Sequence, residues 1–115
     1  MEHIVDAEWL ISFIKKNKLP DNVTLVDVRT ASEYRSGHIK GAINIPFDFG
    51  YQNIYDKFKD KKGGVVFYCS TGTRSEDVIK GLKKLKNVHI KDFFYIDASI
   101  MCSDDNECEI APHTQ

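Results

Sequence analysis

The stretch FYCSTGTRSED, residues 67–77, sets a single cysteine, Cys69, at the end of an apolar run. Small and hydroxylated residues follow, then Arg74, Ser75 and two acids. A thiolate is the nucleophilic form of cysteine, and local positive potential decides how readily it forms. If residues 65–68 are a strand and a helix starts near Arg74, the intervening loop can turn its backbone N–H groups toward one point. The first N–H groups of a helix have no internal partner, and the helix dipole adds partial positive charge there. Gly72 allows a backbone conformation that strains other residues. Ser70, Thr71 and Thr73 are small and add hydroxyls, Arg74 adds a permanent charge with a rigid fork of donors, and Ser75 closes the loop. Together these groups favour a thiolate at Cys69. Its role is then to attack, or to carry an anionic adduct.

The plainer role for a free cysteine is that of a small buried hydrophobe. The flanking glycine, hydroxyls, arginine and helix start point instead to a reactive thiol. A simple phosphate-binding loop is disfavoured, because the spacing G-x-x-x-x-G-K-[ST] is missing. Cys102 and Cys108 are separated by five residues, with His113 beyond them. They read first as unpaired thiols in a mobile tail. A disulfide, a zinc pair and a resolving thiol for Cys69 are the alternatives.

The elements that must position the loop follow from periodicity. Asp6 caps a helix beginning AEWLISFIKK, whose Ala7, Leu10, Ile11 and Ile14 make one apolar face. Residues 23–28, VTLVDV, read as a buried strand. Thr30 with Glu33 three positions later is a capping box for a short helix ended by Gly37. Residues 42–46 read as a short strand, and residues 50–60 as a helix from the pairs Tyr51–Tyr55 and Ile54–Phe58. A strand at 65–68, a helix with Val78, Ile79, Leu82 and Leu85 on one face, and a strand at 93–96 follow. Residues 1–100 form the expected domain, and 101–115 a loop or extended tail. Apolar strands alternating with helices indicate a parallel α/β sheet. Ligands of such sheets bind beyond the carboxyl ends of the strands, where Cys69 falls.

The chain has 115 residues, enough for one domain, and a net charge of −1. No basic face suggests nucleic acid as a partner. No run approaches the roughly 20 apolar residues of a membrane span. The acidic start lacks the pattern of a signal peptide, so a cytoplasmic protein with mostly reduced cysteines is expected.

Two segments resemble a known family. LVDVRTASEYRSGHIKGAINIP, residues 25–46, is similar to the first signature of rhodanese-like sulfurtransferase domains. VVFYCSTGTRS, residues 65–75, is similar to the family's active-site strand and loop. The resemblance spans residues 4–97 and implies a five-stranded, mostly parallel sheet with helices on both faces. Its fifth strand would come from residues 3–5. It implies that Cys69 carries sulfur as a persulfide and that Ser70, Thr71, Gly72, Thr73, Arg74 and Ser75 hold it. It implies bracing roles for Asp27, Arg29, Glu33, His38 and Gly41, with His38 packing and hydrogen bonding rather than acting as a base. Ala98 and Ser99 stand where the family usually has paired glycines, and the tryptophan-containing segment after them is missing.

The implied reaction is a two-step sulfur transfer by a single-domain sulfurtransferase. Cys69 takes the outer sulfur of thiosulfate, a polysulfide or a persulfide. A small or protein thiol, or cyanide, then removes it. Arg74 would hold an anionic donor, and neither step calls for a metal or an organic cofactor. Two rivals remain. A cysteine-based phosphatase or arsenate reductase uses a similar cradle, but with five residues between cysteine and arginine where this chain has four. A non-catalytic partner-binding module would use the fold alone.

Overall fold

The computed structural model describes residues 3–113. Five strands, β1 (Ile4–Asp6), β2 (Val23–Asp27), β3 (Ile43–Asn44), β4 (Gly64–Tyr68) and β5 (Phe93–Cys102), pair in parallel in the order β1-β5-β4-β2-β3. The strand expected at residues 3–5 is β1, in register with Tyr95, Ile96 and Asp97 of β5. A sixth strand, β6 (Cys108–Pro112), runs antiparallel to the far half of β5.

Period-two alternation sorts the strands' side chains onto two faces. Val65, Phe67 and Cys69 join Val26, Val28, Phe93 and Tyr95 on one side. Val66 and Tyr68 join Leu25, Ile96, Ala98 and Ile100 on the other. Helices α3 (Tyr51–Phe58) and α4 (Thr73–Lys83) cover the first face with Ile54, Tyr55, Phe58, Val78, Ile79 and Leu82. Helix α1 (Ala7–Lys15) covers the second with Ala7 and Leu10, and its Asp6 cap accepts from the Trp9 N–H at 3.0 Å. The chain is thus an α/β fold with helices on both faces of a largely parallel sheet, the architecture that the resemblance implies.

The short helix α2 (Ala31–Ser36) buries none of its residues, so local bonds must hold it. Its capping box is complete. Thr30 Oγ1 accepts from the Glu33 N–H, and Glu33 Oε1 accepts from the Thr30 N–H. A 3-10 turn at Phe47–Phe49, which the sequence reading does not contain, follows β3 and leads into α3.

The segment after residue 100 departs furthest from the expectation. It is not a loop or extended tail: β5 runs on to Cys102, the chain turns, and β6 returns as the second arm of a hairpin. Without the expected glycine pair, Ala98 and Ile100 keep pointing inward at alternate positions and the strand continues. Cys102 and Cys108 face each other directly across the hairpin and form a disulfide, so neither is the expected unpaired, reduced thiol. Register brings them together, which a spacing of five residues does not reveal. Gly37 packs against the backbone carbonyls of Cys102 and Ser103 at a positive φ, an approach that leaves no room for a Cβ. No helix among the described residues is long and apolar enough to cross a membrane.

Candidate active site

Cys69 follows the last residue of β4, and Gly72 is the N-cap of α4. The intervening loop therefore sits at the carboxyl edge of the central strand. Gly72 has φ +92°, which lets the chain double back so that its N–H points inward. That N–H donates to Cys69 Sγ at 3.1 Å, and the Ser75 N–H, at 3.5 Å, does the same. Ser75 Oγ lies 3.5 Å from the sulfur and donates to the Gly72 carbonyl at 3.1 Å. Its single proton can rotate between the two acceptors. With a thiol it serves the carbonyl; with an anionic sulfur it can turn to Sγ. The sulfur is thus ringed by donors at a helix start, where unpaired N–H groups and the dipole favour negative charge.

Cys69 is only 1% exposed. Bulk solvent barely reaches it, and only a slender reacting group can approach. A groove of about 1000 Å³ lies elsewhere, between the end of α1 and the hairpin, and contains none of residues 69–75.

The loop's other hydroxyls have partners of their own. Thr71 and Thr73 bond to each other at 3.3 Å, and Ser70 Oγ accepts from Arg74 at 3.2 Å. The Ser70 carbonyl accepts from the Ile100 N–H at 2.8 Å, which ties the loop to β5. Arg74 gives its guanidinium to Glu33 in a two-pronged bond, Nη1 to Oε1 at 2.7 Å and Nη2 to Oε2 at 3.0 Å. Phe47, from the 3-10 turn, packs its ring 5.8 Å from the guanidinium carbon. The arginine expected to hold an anionic donor is therefore a strut that joins the loop to α2.

Beneath the loop, Asp27 is wholly buried and Arg29 nearly so. Arg29 Nε and Nη2 donate to the Asp27 carboxylate at 2.7–3.1 Å, and Nη2 also donates to the Gly37 carbonyl at 2.6 Å. Burial works against the Arg29 charge, but the Asp27 carboxylate outweighs it and the guanidinium is held more firmly protonated. Burial, reinforced by Asp27, pushes the Tyr68 phenol far above its ordinary range, so it stays neutral and accepts from the Ile39 N–H at 3.0 Å. His38 stacks on Tyr34 with ring centroids 3.7 Å apart. Its Nδ1 bonds to the Tyr34 carbonyl at 2.8 Å, and its backbone N–H donates to Asn106 of the hairpin turn at 3.0 Å. Gly41, φ +89°, packs beside Leu19 and does not reach the loop.

Two features near the loop carry no sequence signal. Phe47 is one. The other is the His113–Asp97 pair, Nδ1 to Oδ1 at 2.6 Å, whose imidazole lies against Gly72. The disulfide packs with the cluster on the α1 face, whereas Cys69 belongs to the cluster on the α3–α4 face. Cys102 and Cys108 are thus on the wrong side of the sheet to resolve an adduct on Cys69.

The model of the rhodanese-like domain matches residues 6–101. The chain belongs to the rhodanese-like family. The match takes in the Asp27–Arg29 brace, the loop and the first half of the hairpin. Among similar proteins, thiosulfate sulfurtransferase PspE of Escherichia coli is 32% identical over 66 residues, 57% of this chain and 64% of that protein. The M-phase inducer phosphatase of Dictyostelium discoideum is 34% identical over 93 residues, 74% of this chain but 9% of that protein. The chain thus spans less than two thirds of either. A rhodanese-related protein of Thermoplasma volcanium shares the fold, with a TM-score of 0.61 at 23% identity, over 84% of this chain and 85% of that one.

The Glu33–Arg74 strut of this rhodanese-like domain has a pH signature. The Arg74 guanidinium holds the Glu33 carboxyl down at about 2, against the opposing effect of burial. A carboxyl held below its unfolded value of 4.5 stabilises the fold fully above that value and stops doing so as pH falls through about 2. The Glu33 side chain is 37% exposed, so solvent screening reduces the effect to about 1 kcal/mol. Glu33→Gln keeps the capping-box acceptor and removes the charge. Urea midpoints of wild type and variant should differ at pH 7 and converge between pH 4.5 and 2. A gap that persists unchanged at pH 2 would mean the strut acts through shape alone.

Proposed function

We propose that this domain is a sulfurtransferase that moves sulfane sulfur from a small donor through a Cys69 persulfide to a thiol or cyanide acceptor. One observation carries the reading: two backbone N–H groups and the Ser75 hydroxyl converge on Cys69 Sγ at the start of α4. In the first step the sulfur's lone pair attacks the donor's outer sulfur. The bond behind that atom breaks, and its electron pair leaves with the remainder. The transferred sulfur, now terminal, is stabilised by preorganised donors, as a developing oxyanion would be. In the second step the acceptor attacks this terminal sulfur and Cys69 departs as a thiolate. Ping-pong kinetics should follow. The similarity to PspE, named as a thiosulfate sulfurtransferase, supports the same class of reaction.

The similarity to the M-phase inducer phosphatase gives the rival its one supporting observation. Two features weigh against it. Only four residues separate Cys69 from Arg74, which makes a narrower cradle than a phosphoryl group needs. The Arg74 guanidinium, which would have to clasp phosphoryl oxygens, is occupied by Glu33.

The test is the mass of the intact protein after incubation with polysulfide. Gain of one sulfur atom on Cys69, lost on adding cyanide, is the expected result. Turnover of an aryl phosphate without any sulfur gain would favour the phosphatase. Neither reaction would leave a partner-binding module.

A further inference from the structure

Resting on the sulfurtransferase reading, we propose that the preferred donor is an alkyl persulfide, R–S–SH, over thiosulfate, and that Phe47 is the surface that receives its alkyl group. Thiosulfate is a dianion whose transferable sulfur is bonded directly to a sulfonate. A site that favours it needs an uncommitted cation at the mouth. Residues 70–73 carry no charge. Among the described residues, the side chains near the loop that can be cationic, Arg29, Arg74 and His113, each already have a carboxylate. Arg74 is held by Glu33 at 2.7 and 3.0 Å, and His113 by Asp97 at 2.6 Å. Helix α4 next brings Glu76 and Asp77; its lysines, Lys80 and Lys83, lie in its last turn, and Lys80 is 3.8 Å from Glu76.

What remains for an anion is the helix start and its inward N–H groups, and these already point at Cys69 Sγ. A dianionic donor would compete for the donors that stabilise the attacking sulfur. An alkyl persulfide makes less demand: any charge it carries lies on the outer sulfur that the cradle receives, and none on the part that leaves. The atom next to its inner sulfur is an uncharged carbon, and an aromatic ring packed on the loop's Arg74 can receive it. Phe47 is 38% exposed although it packs against Arg74, so one part of its ring is free for an apolar group. The near-complete burial of Cys69 acts in the same direction. A two-coordinate sulfur reaches a closed cradle more easily than a sulfur backed by a tetrahedral sulfonate.

The step balances without an added oxidant or reductant. Cys69 Sγ forms a bond to the outer sulfur while the S–S bond of the donor breaks. The electron pair leaves on the inner sulfur as RS⁻, which takes a proton from water, and the outer hydrogen stays on the transferred sulfur. One thiol is traded for another, and the sulfane sulfur keeps its oxidation state.

The experiment measures the rate of sulfur gain on Cys69 in the full chain, with hydroxyethyl persulfide as the probe whose remainder is uncharged and thiosulfate as the one whose remainder is a charged sulfonate. Each rate is divided by that donor's rate with a free small thiol, which removes intrinsic reactivity. The normalised persulfide rate should exceed the thiosulfate rate by about 10-fold or more, the lower end of what a charge-matched site gains. Ser70→Arg should shift the ratio toward thiosulfate by about 10-fold and make thiosulfate loading sensitive to salt. Phe47→Ala should shift it toward thiosulfate by lowering the persulfide rate, and Phe47→Leu should restore most of that loss. A normalised thiosulfate rate equal to or above that of the persulfide overturns the proposal, while loading by both donors leaves the sulfurtransferase reading intact. Failure of polysulfide, persulfide and thiosulfate alike to load Cys69 overturns both.

Discussion

Cys69→Ser should abolish sulfur transfer while leaving the fold nearly untouched. The hydroxyl oxygen is close to isosteric with the sulfur and can still accept from the Gly72 and Ser75 N–H groups. No donor of the loop is orphaned, so the urea midpoint should barely move. The chemistry fails for a different reason. An alcohol is hardly ionised near neutral pH, and even as an alkoxide it is a poor partner for sulfane sulfur. Loss of the nucleophile should lower turnover by roughly 10³-fold or more. Ser75→Ala separates nucleophile from cradle. It removes the one rotatable donor, keeps both N–H groups, and leaves the thiol in place. Its cost should be about 10-fold in the rate of sulfur gain, below that of a well-aligned oxyanion donor, because the 3.5 Å contact is long. Stopped-flow or quenched mass measurements of the loading step compare the three proteins directly. Equal loading rates in wild type and Cys69→Ser would mean that sulfur is carried elsewhere.

The parts of this site that could be read from the sequence are those made by neighbours along the chain. The end of β4, the loop and the first turn of α4 are contiguous, so seven consecutive residues reveal both the nucleophile and its amide cradle. The Asp27–Arg29 pair lies two residues apart, and the capping box of α2 three. What the sequence conceals depends on tertiary placement. Glu33 and Arg74 are separated by 41 positions, and nothing in either segment marks the other as its partner. The expectation that Arg74 is free to hold substrate therefore overlooks its carboxylate. Phe47 reaches the loop only because a 3-10 turn follows β3, and three residues of FDF carry no periodicity that reveals such a turn. The hairpin was hidden by its polar turn. SDDNE reads as loop, and it is loop, but it joins two strands whose pairing depends on the register of β5. That register also joins Cys102 to Cys108 and sets His113 against Gly72.

Asp27→Ala should be the most destabilising single change at the site. Asp27 is 0% exposed, and its carboxylate takes three donor contacts from the Arg29 side chain and one from the Arg29 backbone N–H at 2.9 Å. Truncation leaves a buried guanidinium with the Gly37 carbonyl as its remaining partner. An uncompensated buried charge of this kind costs about 3–5 kcal/mol. A domain of this size is stable by only about 5–15 kcal/mol, so the variant should unfold at a much lower urea concentration. Asp27→Asn keeps the shape and one acceptor and should fall between alanine and wild type. The informative control is the double variant Asp27→Leu with Arg29→Met, which removes both charges together. It should recover a large part of the loss, because a buried pair contributes little net stability beyond the cost of breaking it. It should not recover sulfur transfer in full, since Arg29 also fixes the Gly37 carbonyl and with it the end of α2, the helix that carries Glu33 to Arg74. Urea unfolding and the loading rate, measured on the same four proteins, separate the two roles. A cost below about 1 kcal/mol for Asp27→Ala would place the pair among ordinary surface ion pairs and remove it as the brace beneath the loop.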